Sequence, residues 1–284
     1  MKFLVIGGNA AGMSAASRVK RKSPDTEVVV LEQTHEVSYG ACGLPYYVAG
    51  LNNNLDLMRI RKADQFLANG VDLRLGCDVT GADFTAKTVS YTDEKGEAHV
   101  ESYDKLLIAT GSSPKVPPIP GIRQKNIFPL KTLDQAAALK LALESNPKSV
   151  VIVGGGYIGL ELAEACILQK VPEIHIVEAL DRLLNVFDPE FSEMVKAELE
   201  KNGVHIHLGE RVMSFEGEDD KVTAVKTDKD CYAADVVILS IGVSPNTRFL
   251  PEGIEKLGNG ALVTDASMKT SVPDVYAAGD CASV

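Results

Sequence analysis

One arrangement occurs twice in this chain of 284 residues, and it limits the possible folds more than any other feature. "KFLVIGGNAAGMSAASRVKR" opens near the N-terminus, and "SVVIVGGGYIGLELAEACIL" begins at Ser149. Each is a β-branched apolar run, then a glycine cluster, then a helix pattern rich in small residues. Each leads to a second apolar run that ends on an acid, "EVVVLE" at Glu32 and "EIHIVE" at Glu178. The echo continues. "NGVDLRLGCDVTGAD" near Gly70 matches "NGVHIHLGERVMSFEGE" near Gly203, and "YDKLLIATGSSP" matches "AADVVILSIGVSP". Between the matched landmarks lie "KTVSYTDEKGEAHVES" and "KVTAVKTDKDCYA", alternating segments broken by turns, which predict small antiparallel meanders.

The expected fold class is therefore α/β, with two Rossmann-like, doubly wound, three-layer domains for binding dinucleotides, each carrying an inserted antiparallel β-meander. In the second copy, Gly154, Gly156 and Gly159 complete a GxGxxG between strand and helix, with Glu178 about twenty residues further on. The first glycine makes the turn, the second lets backbone approach a pyrophosphate, and the third lets helix pack on strand. The helix N-terminus then faces the phosphates. Glu178 suits the adenosine ribose hydroxyls and repels a 2′-phosphate, which favours NADH over NADPH. In the first copy Gly7, Gly8, Ala11 and Gly12 remain, but Asn9 stands at the middle position; Glu32 keeps the spacing. Two dinucleotide folds imply two dinucleotides, and the usual redox partner of a nicotinamide is a flavin.

The net charge of −10 argues against nucleic acid as a partner. No apolar run reaches the roughly 18–20 residues that span a bilayer, so no membrane partner is expected. The five cysteines, Cys42, Cys77, Cys166, Cys231 and Cys281, are odd in number, widely spaced and lack metal-type pairing. A reducing cytoplasm is the expected setting. His205 and His207 share a strand face, but no third ligand is in view and no metal site is expected.

Further motifs point to a family. "LLIATGSSP" contains Thr110 and Gly111, "SIGVSPN" contains Gly242, and "VPDVYAAGDCA" ends an apolar strand at Asp280, at a sheet edge where ligands bind. With "GGGYIGLE", which adds Tyr157, Ile158 and Glu161, the whole chain resembles the flavoprotein pyridine nucleotide-disulfide oxidoreductases. The resemblance implies an FAD domain over 1–112 plus 243–284 and an NAD(P)H domain over 113–242. It implies that Asp280 bonds the ribityl chain, that Tyr157 covers the flavin ring with Glu161 near the same stack, and that Val79 and Lys131 also contact cofactor. Relatives continue into a C-terminal dimerisation domain, which this sequence lacks; a homodimer is implied for the full-length protein.

The subfamily turns on "VSYGACGLPYYVAG". Glutathione-reductase-like members carry CxxxxC, but here the second position is Tyr47. The chain resembles the single-cysteine branch of coenzyme A-disulfide reductases, NADH oxidases and NADH peroxidases. Cys42 is the implied catalytic thiol, taking electrons from NAD(P)H through FAD and passing them to a coenzyme A disulfide, persulfide or polysulfide. Pro45 fits the first turn of a helix starting just after Cys42, whose N-terminus would favour a thiolate. Gly40 and Gly43 would let flavin and substrate come close. The oxidases and peroxidases usually carry a histidine where this chain has Ala10, which leans away from peroxide. Ser14, Arg18 and Arg21 fall on one helix face. In coenzyme A-disulfide reductases the matching positions contact coenzyme A, as does a serine matching Ser38. Several relatives place Asn before the cysteine, and this chain has Ala41. Two alternatives stay open: an oxidase or peroxidase working through a Cys42 sulfenic acid, and a flavin-binding core without competent disulfide reduction.

Overall fold

The computed structural model describes residues 1–283. The chain forms two compact units. The first comprises Met1–Gly40, Arg59–Ser113 and the chain from Ser244 onward; the second comprises Ala41–Met58 and Pro114–Val243.

In the first unit a five-stranded parallel sheet runs in the order Val275–Ala277, Lys105–Ile108, Lys2–Ile6, Glu27–Leu31, Asp72–Arg74. Its central strands read as continuous apolar runs because both faces are covered. On one face Gly12, Met13 and Ala16 of the helix Ala10–Lys22 are buried, and Met13 and Ala16 pack with Phe3, Val5, Val28 and Val30. On the other, Leu4, Ile6, Leu31 and Ile108 pack with Val89, Tyr91 and Tyr103. That side belongs to the antiparallel meander Asp78–Asp83, Thr88–Thr92 and Ala98–Ser102. Val79 lies in the meander's first strand, partly buried against this core.

The second unit repeats the plan. Its parallel sheet runs Ile127–Pro129, Val236–Leu239, Ser149–Val153, Glu173–Glu178, Val204–Leu208. The meander Val212–Glu218, Lys221–Thr227 and Cys231–Ala233 contributes Phe215, Val222 and Val225 to a core with Val151, Val153 and Val177. The helices are Leu133–Glu144, Tyr157–Leu168 and Pro189–Lys201. The two sheets thus share one strand order and differ in the source of one edge strand, Val275–Ala277 late in the chain against Ile127–Pro129.

One segment departs from the sequence expectation. Position in the chain places residues 41–58 with the first domain, but they pack with the second unit. Leu44, Pro45 and Val48 of the short helix Leu44–Val48 are buried, and that helix contacts Leu133–Glu144 and Tyr157–Leu168. Gln169 Nε2 donates to the Val48 carbonyl at 2.9 Å. Lys140 Nζ lies 5.4 Å from the centre of the Tyr47 ring, a cation–π contact.

Candidate active site

The two glycine turns are built alike. Gly7 has φ +107°, and a Cβ there would lie 2.2 Å from the Ala109 carbonyl oxygen; Gly154 has φ +106°, and its Cβ would lie 2.5 Å from that of Ser240. A Cβ on Gly12 would meet Gly7 O at 1.9 Å, and one on Gly159 would meet Gly154 O at 2.1 Å. These four positions exclude any side chain. Gly156 differs, with nothing within 4 Å of an added Cβ, so its glycine leaves open space rather than relieving contact.

The two acids also correspond. Glu32 Oε2 accepts the Gly8 amide at 2.6 Å, and Glu178 Oε2 accepts the Gly155 amide at 2.6 Å. The other oxygens accept Thr34 N at 2.8 Å and Leu180 N at 2.9 Å. Each carboxylate keeps lone pairs for a ribose. The helices Ala10–Lys22 and Tyr157–Leu168 start without a side-chain cap and without an acid in the first turn. Helix Leu133–Glu144, by contrast, carries a Thr132–Gln135 capping box. Orphan N–H groups at both glycine turns are therefore free to receive phosphate, and both sets of residues fit a dinucleotide diphosphate.

Asn9, which breaks the first motif, stands at the N-cap position that Gly156 holds in the second unit, and its Oδ1 accepts the Tyr39 amide at 3.0 Å rather than an amide of its own helix. Ser38, with φ +50°, donates its amide to Gly8 O at 3.0 Å. The stretch leading to Cys42 is thus tied to the first glycine turn. Around that turn the fold gathers Ala11, whose Cβ would lie 3.2 Å from one on Gly279, and Asp280, which accepts Ser112 Oγ at 2.8 Å. Thr110 Oγ1 donates to Asn246 O at 2.7 Å, and Gly111, at φ +64°, accepts Asn246 N at 3.0 Å. In the second unit Ile158 is half-buried, Tyr157 is 58% exposed and Glu161 is exposed on the same helix. Tyr157 meets Phe187 edge-on at 5.8 Å. Gly242 has φ +94°, and Lys131 lies two residues before helix Leu133–Glu144.

Ser14, Arg18 and Arg21 are exposed on one face of helix Ala10–Lys22. Beside Arg21 opens a cleft of about 470 Å³, lined also by Ser17, Lys20, Arg61, Gln65 and Asn69. Arg61 stacks 5.8 Å from the centre of the Phe66 ring. Sequence reasoning missed Arg61, because it joins Arg21 only through the fold.

Cys42 is exposed in the 3₁₀ turn Ala41–Gly43, just ahead of the helix Leu44–Val48 with Pro45 in its first turn. Cys77, Cys166 and Cys281 are buried, and burial pushes the Cys166 thiol up to about 12. Cys281 Sγ lies 3.4 Å from Ile108 O, so this neighbour of Asp280 belongs to the core. His205 and His207 are not simply a surface pair: His175 Nδ1 lies 3.0 Å from His207 Nε2.

The two glycine turns and their paired acids define a chain with two folds of the dinucleotide-binding type. The chain matches the family model for pyridine nucleotide-disulphide oxidoreductases over residues 1–284, and it belongs to that family, which binds FAD and NAD(P)H. It is 41% identical over 281 residues to an NAD(P)H sulfur oxidoreductase (CoA-dependent) of Pyrococcus abyssi, covering 98% of this chain and 62% of that protein. It is 37% identical over 287 residues to an NADH oxidase of Enterococcus faecalis, covering 100% of this chain and 64% of the relative. The solved water-forming NADH oxidase of Lactobacillus brevis, bound to NADH, superimposes with a TM-score of 0.94 at 34% identity, over 99% of this chain and 62% of that one. The chain thus spans less than two thirds of the length of these relatives. Among the described residues no helix is long and apolar enough to cross a membrane.

Proposed function

We propose that this chain carries the NAD(P)H- and FAD-dependent core of an enzyme that reduces a coenzyme A disulfide, or a related persulfide or polysulfide, at Cys42. The observation that carries the reading is the set Arg18, Arg21 and Arg61 on an otherwise acidic chain. None of the three has a carboxylate partner among the described residues, and two of them line one cleft. Unpaired guanidiniums of this kind suit a polyphosphorylated substrate. The Gly7–Gly12 turn, Glu32 and Asp280 would hold FAD, and the Gly154–Gly159 turn and Glu178 would hold NAD(P)H, with Glu178 favouring NADH. FAD, when bound, supplies the two-electron link between nicotinamide and sulfur.

The work of the chain's own residues is at Cys42. Its thiolate attacks one sulfur of the disulfide, a new Cys42–S bond forms, and one coenzyme A thiolate leaves. Two electrons then break that mixed disulfide. With one proton they release the second coenzyme A as a thiol and restore the Cys42 thiolate. Tyr47 provides no second thiol to form an internal disulfide, so the mixed disulfide is the resting form.

Mass spectrometry of the native protein tests this together with NADH turnover of Cys42→Ser. A coenzyme A or persulfide adduct on Cys42, and loss of disulfide reduction with flavin retained, is the expected result. Rapid oxygen consumption with a sulfenic acid on Cys42 would support the oxidase reading instead. Flavin bleaching by NADH with no disulfide turnover would leave only an electron-accepting core.

A further inference from the structure

We propose that His175, His207 and Tyr232 form an acid-sensitive clasp that positions Glu178, so that the second unit loses dinucleotide affinity as pH drops below neutrality. The inference rests on the reading that NAD(P)H occupies that unit.

The clasp follows from register. The strand Glu173–Glu178 pairs in parallel with Val204–Leu208, setting His175 opposite His205 and Val177 opposite His207. The three histidines therefore share one sheet face, and His175 is 8% exposed. His175 uses both ring nitrogens: Nε2 lies 3.1 Å from Glu173 Oε1 and Nδ1 lies 3.0 Å from His207 Nε2. A carboxylate only accepts. His175 Nε2 is thus the N–H, Nδ1 is the acceptor, and His207 Nε2 is the donor. The Tyr232 ring, from the meander, stacks on His207 at 4.1 Å and lies 5.2 Å from His175.

From Tyr232 the contacts lead to the glycine-turn acid. Tyr232 OH donates to Glu210 Oε2 at 2.8 Å, and Thr227 Oγ1 donates to the same oxygen at 2.9 Å. The Glu210 amide donates to Glu178 O at 3.0 Å, and the Gly209 amide donates to Leu180 O at 2.8 Å. Ring pair, tyrosine and buried glutamate thus hold the backbone on which the Glu178 carboxylate is mounted.

Acid acts on the first link. A proton on His175 Nδ1 removes the lone pair that His207 needs and sets two N–H groups against each other. The titratable groups around the pair are Glu173 on its own strand, His205 on the neighbouring strand, Glu210 after it, and Asp230 and Tyr232 in the meander. Burial holds both imidazoles below the ordinary histidine range; Glu173 opposes this at His175, and Glu210 and Asp230 oppose it at His207. Both rings are therefore neutral at neutral pH, and protonation opens the clasp.

The first unit supplies an internal control. Its meander is joined to its sheet by Lys2, Arg74 and Glu101, with Arg74 Nη1 donating to Tyr91 OH at 3.1 Å. Those charges do not titrate in the range where histidine does.

The test is the affinity of the FAD-loaded protein for ADP-ribose, by calorimetry between about pH 5.5 and pH 8. ADP-ribose lacks the acid-labile reduced nicotinamide. The expected result is binding roughly tenfold weaker at the acid end, within the usual range of coupling between sites. His207→Gln donates to neutral His175 through its amide N–H and, with the amide turned, accepts from protonated His175 through its oxygen, so it should flatten the profile to under about twofold; exposed His205→Gln should keep the parent profile. ¹⁵N-histidine NMR should show ADP-ribose moving the His175 and His207 titrations to lower pH. Tight binding at about pH 8 with no acid dependence, or full acid dependence in His207→Gln, would overturn the clasp while leaving the dinucleotide site standing. No binding at about pH 8 would remove the site, and the clasp with it.

Discussion

Asn9 Oδ1 accepts the backbone N–H of Tyr39 at 3.0 Å. The residue that breaks the first glycine motif therefore ties the stretch entering the Cys42 turn to the turn at Gly7. Asn9→Gly restores the motif and cuts the tie. It should lower unfolding stability by about 1 kcal/mol, the net worth of one hydrogen bond, with flavin content retained. Urea denaturation alongside the flavin absorbance ratio measures both; unchanged stability would show that the bond holds nothing.

Gly156 and Gly159 separate two uses of glycine. Gly159→Ala drives a methyl to 2.1 Å from Gly154 O and should destabilise the second unit by several kcal/mol. Gly156→Ala meets nothing within 4 Å at φ −84° and should fold normally. Its methyl enters the space a pyrophosphate needs, so NADH affinity should drop on the order of tenfold or more. Melting curves and NADH titrations of the two variants should rank them in opposite orders.

Arg61 should separate the two substrates of the proposed reaction. Arg61→Ala should raise KM for coenzyme A disulfide roughly tenfold, the loss of one charge-assisted contact to phosphate, with KM for NADH unchanged. Arg18→Ala should behave likewise. A variant that shifts both KM values equally would place Arg61 outside the substrate cleft.

Glu101 links the first meander to its sheet through Lys2 and Arg74. Burial alone would raise its carboxyl, but the two cations outweigh that and hold it below the ordinary value of 4.5. A depressed acid contributes stability that is present above the unfolded-state value and lost as pH falls through the folded-state value. The parent protein should thus lose stability below about pH 4.5 on this account. Glu101→Gln should cost about 1–3 kcal/mol at neutral pH, toward the low end because Lys2 and Arg74 are partly solvated, and its acid limb should be shallower. Chemical denaturation across that range reads both effects.

The parts legible in the sequence are those whose causes are local. A glycine that must avoid the carbonyl of the next strand, an acid that closes the second strand and an alternating meander leave their marks within a few residues, and they do so twice. The packing of residues 41–58 is not legible locally, because their anchors, Lys140 and Gln169, lie some ninety residues and more away along the chain. Arg61 joins Arg21 across about forty residues. The histidine clasp left a faint trace, since "EIHIVE" and "VHIHL" carry histidines at positions that parallel pairing brings to one face. Reading it required knowing that those strands are neighbours.

The shared strand order has a consequence for synthesis on the ribosome. The second unit owns all its strands once residue 243 has emerged, because Ile127–Pro129 precedes the rest of its sheet. The first unit, begun earlier, waits for Val275–Ala277 to pair with Lys105–Ile108. Until then the amide of Leu106 and the carbonyl of Ile108, which later bond Asp274 and Ala278, lie on an open sheet edge, the kind of template on which nascent chains aggregate. The unit that starts first is finished last, by the strand Val275–Ala277.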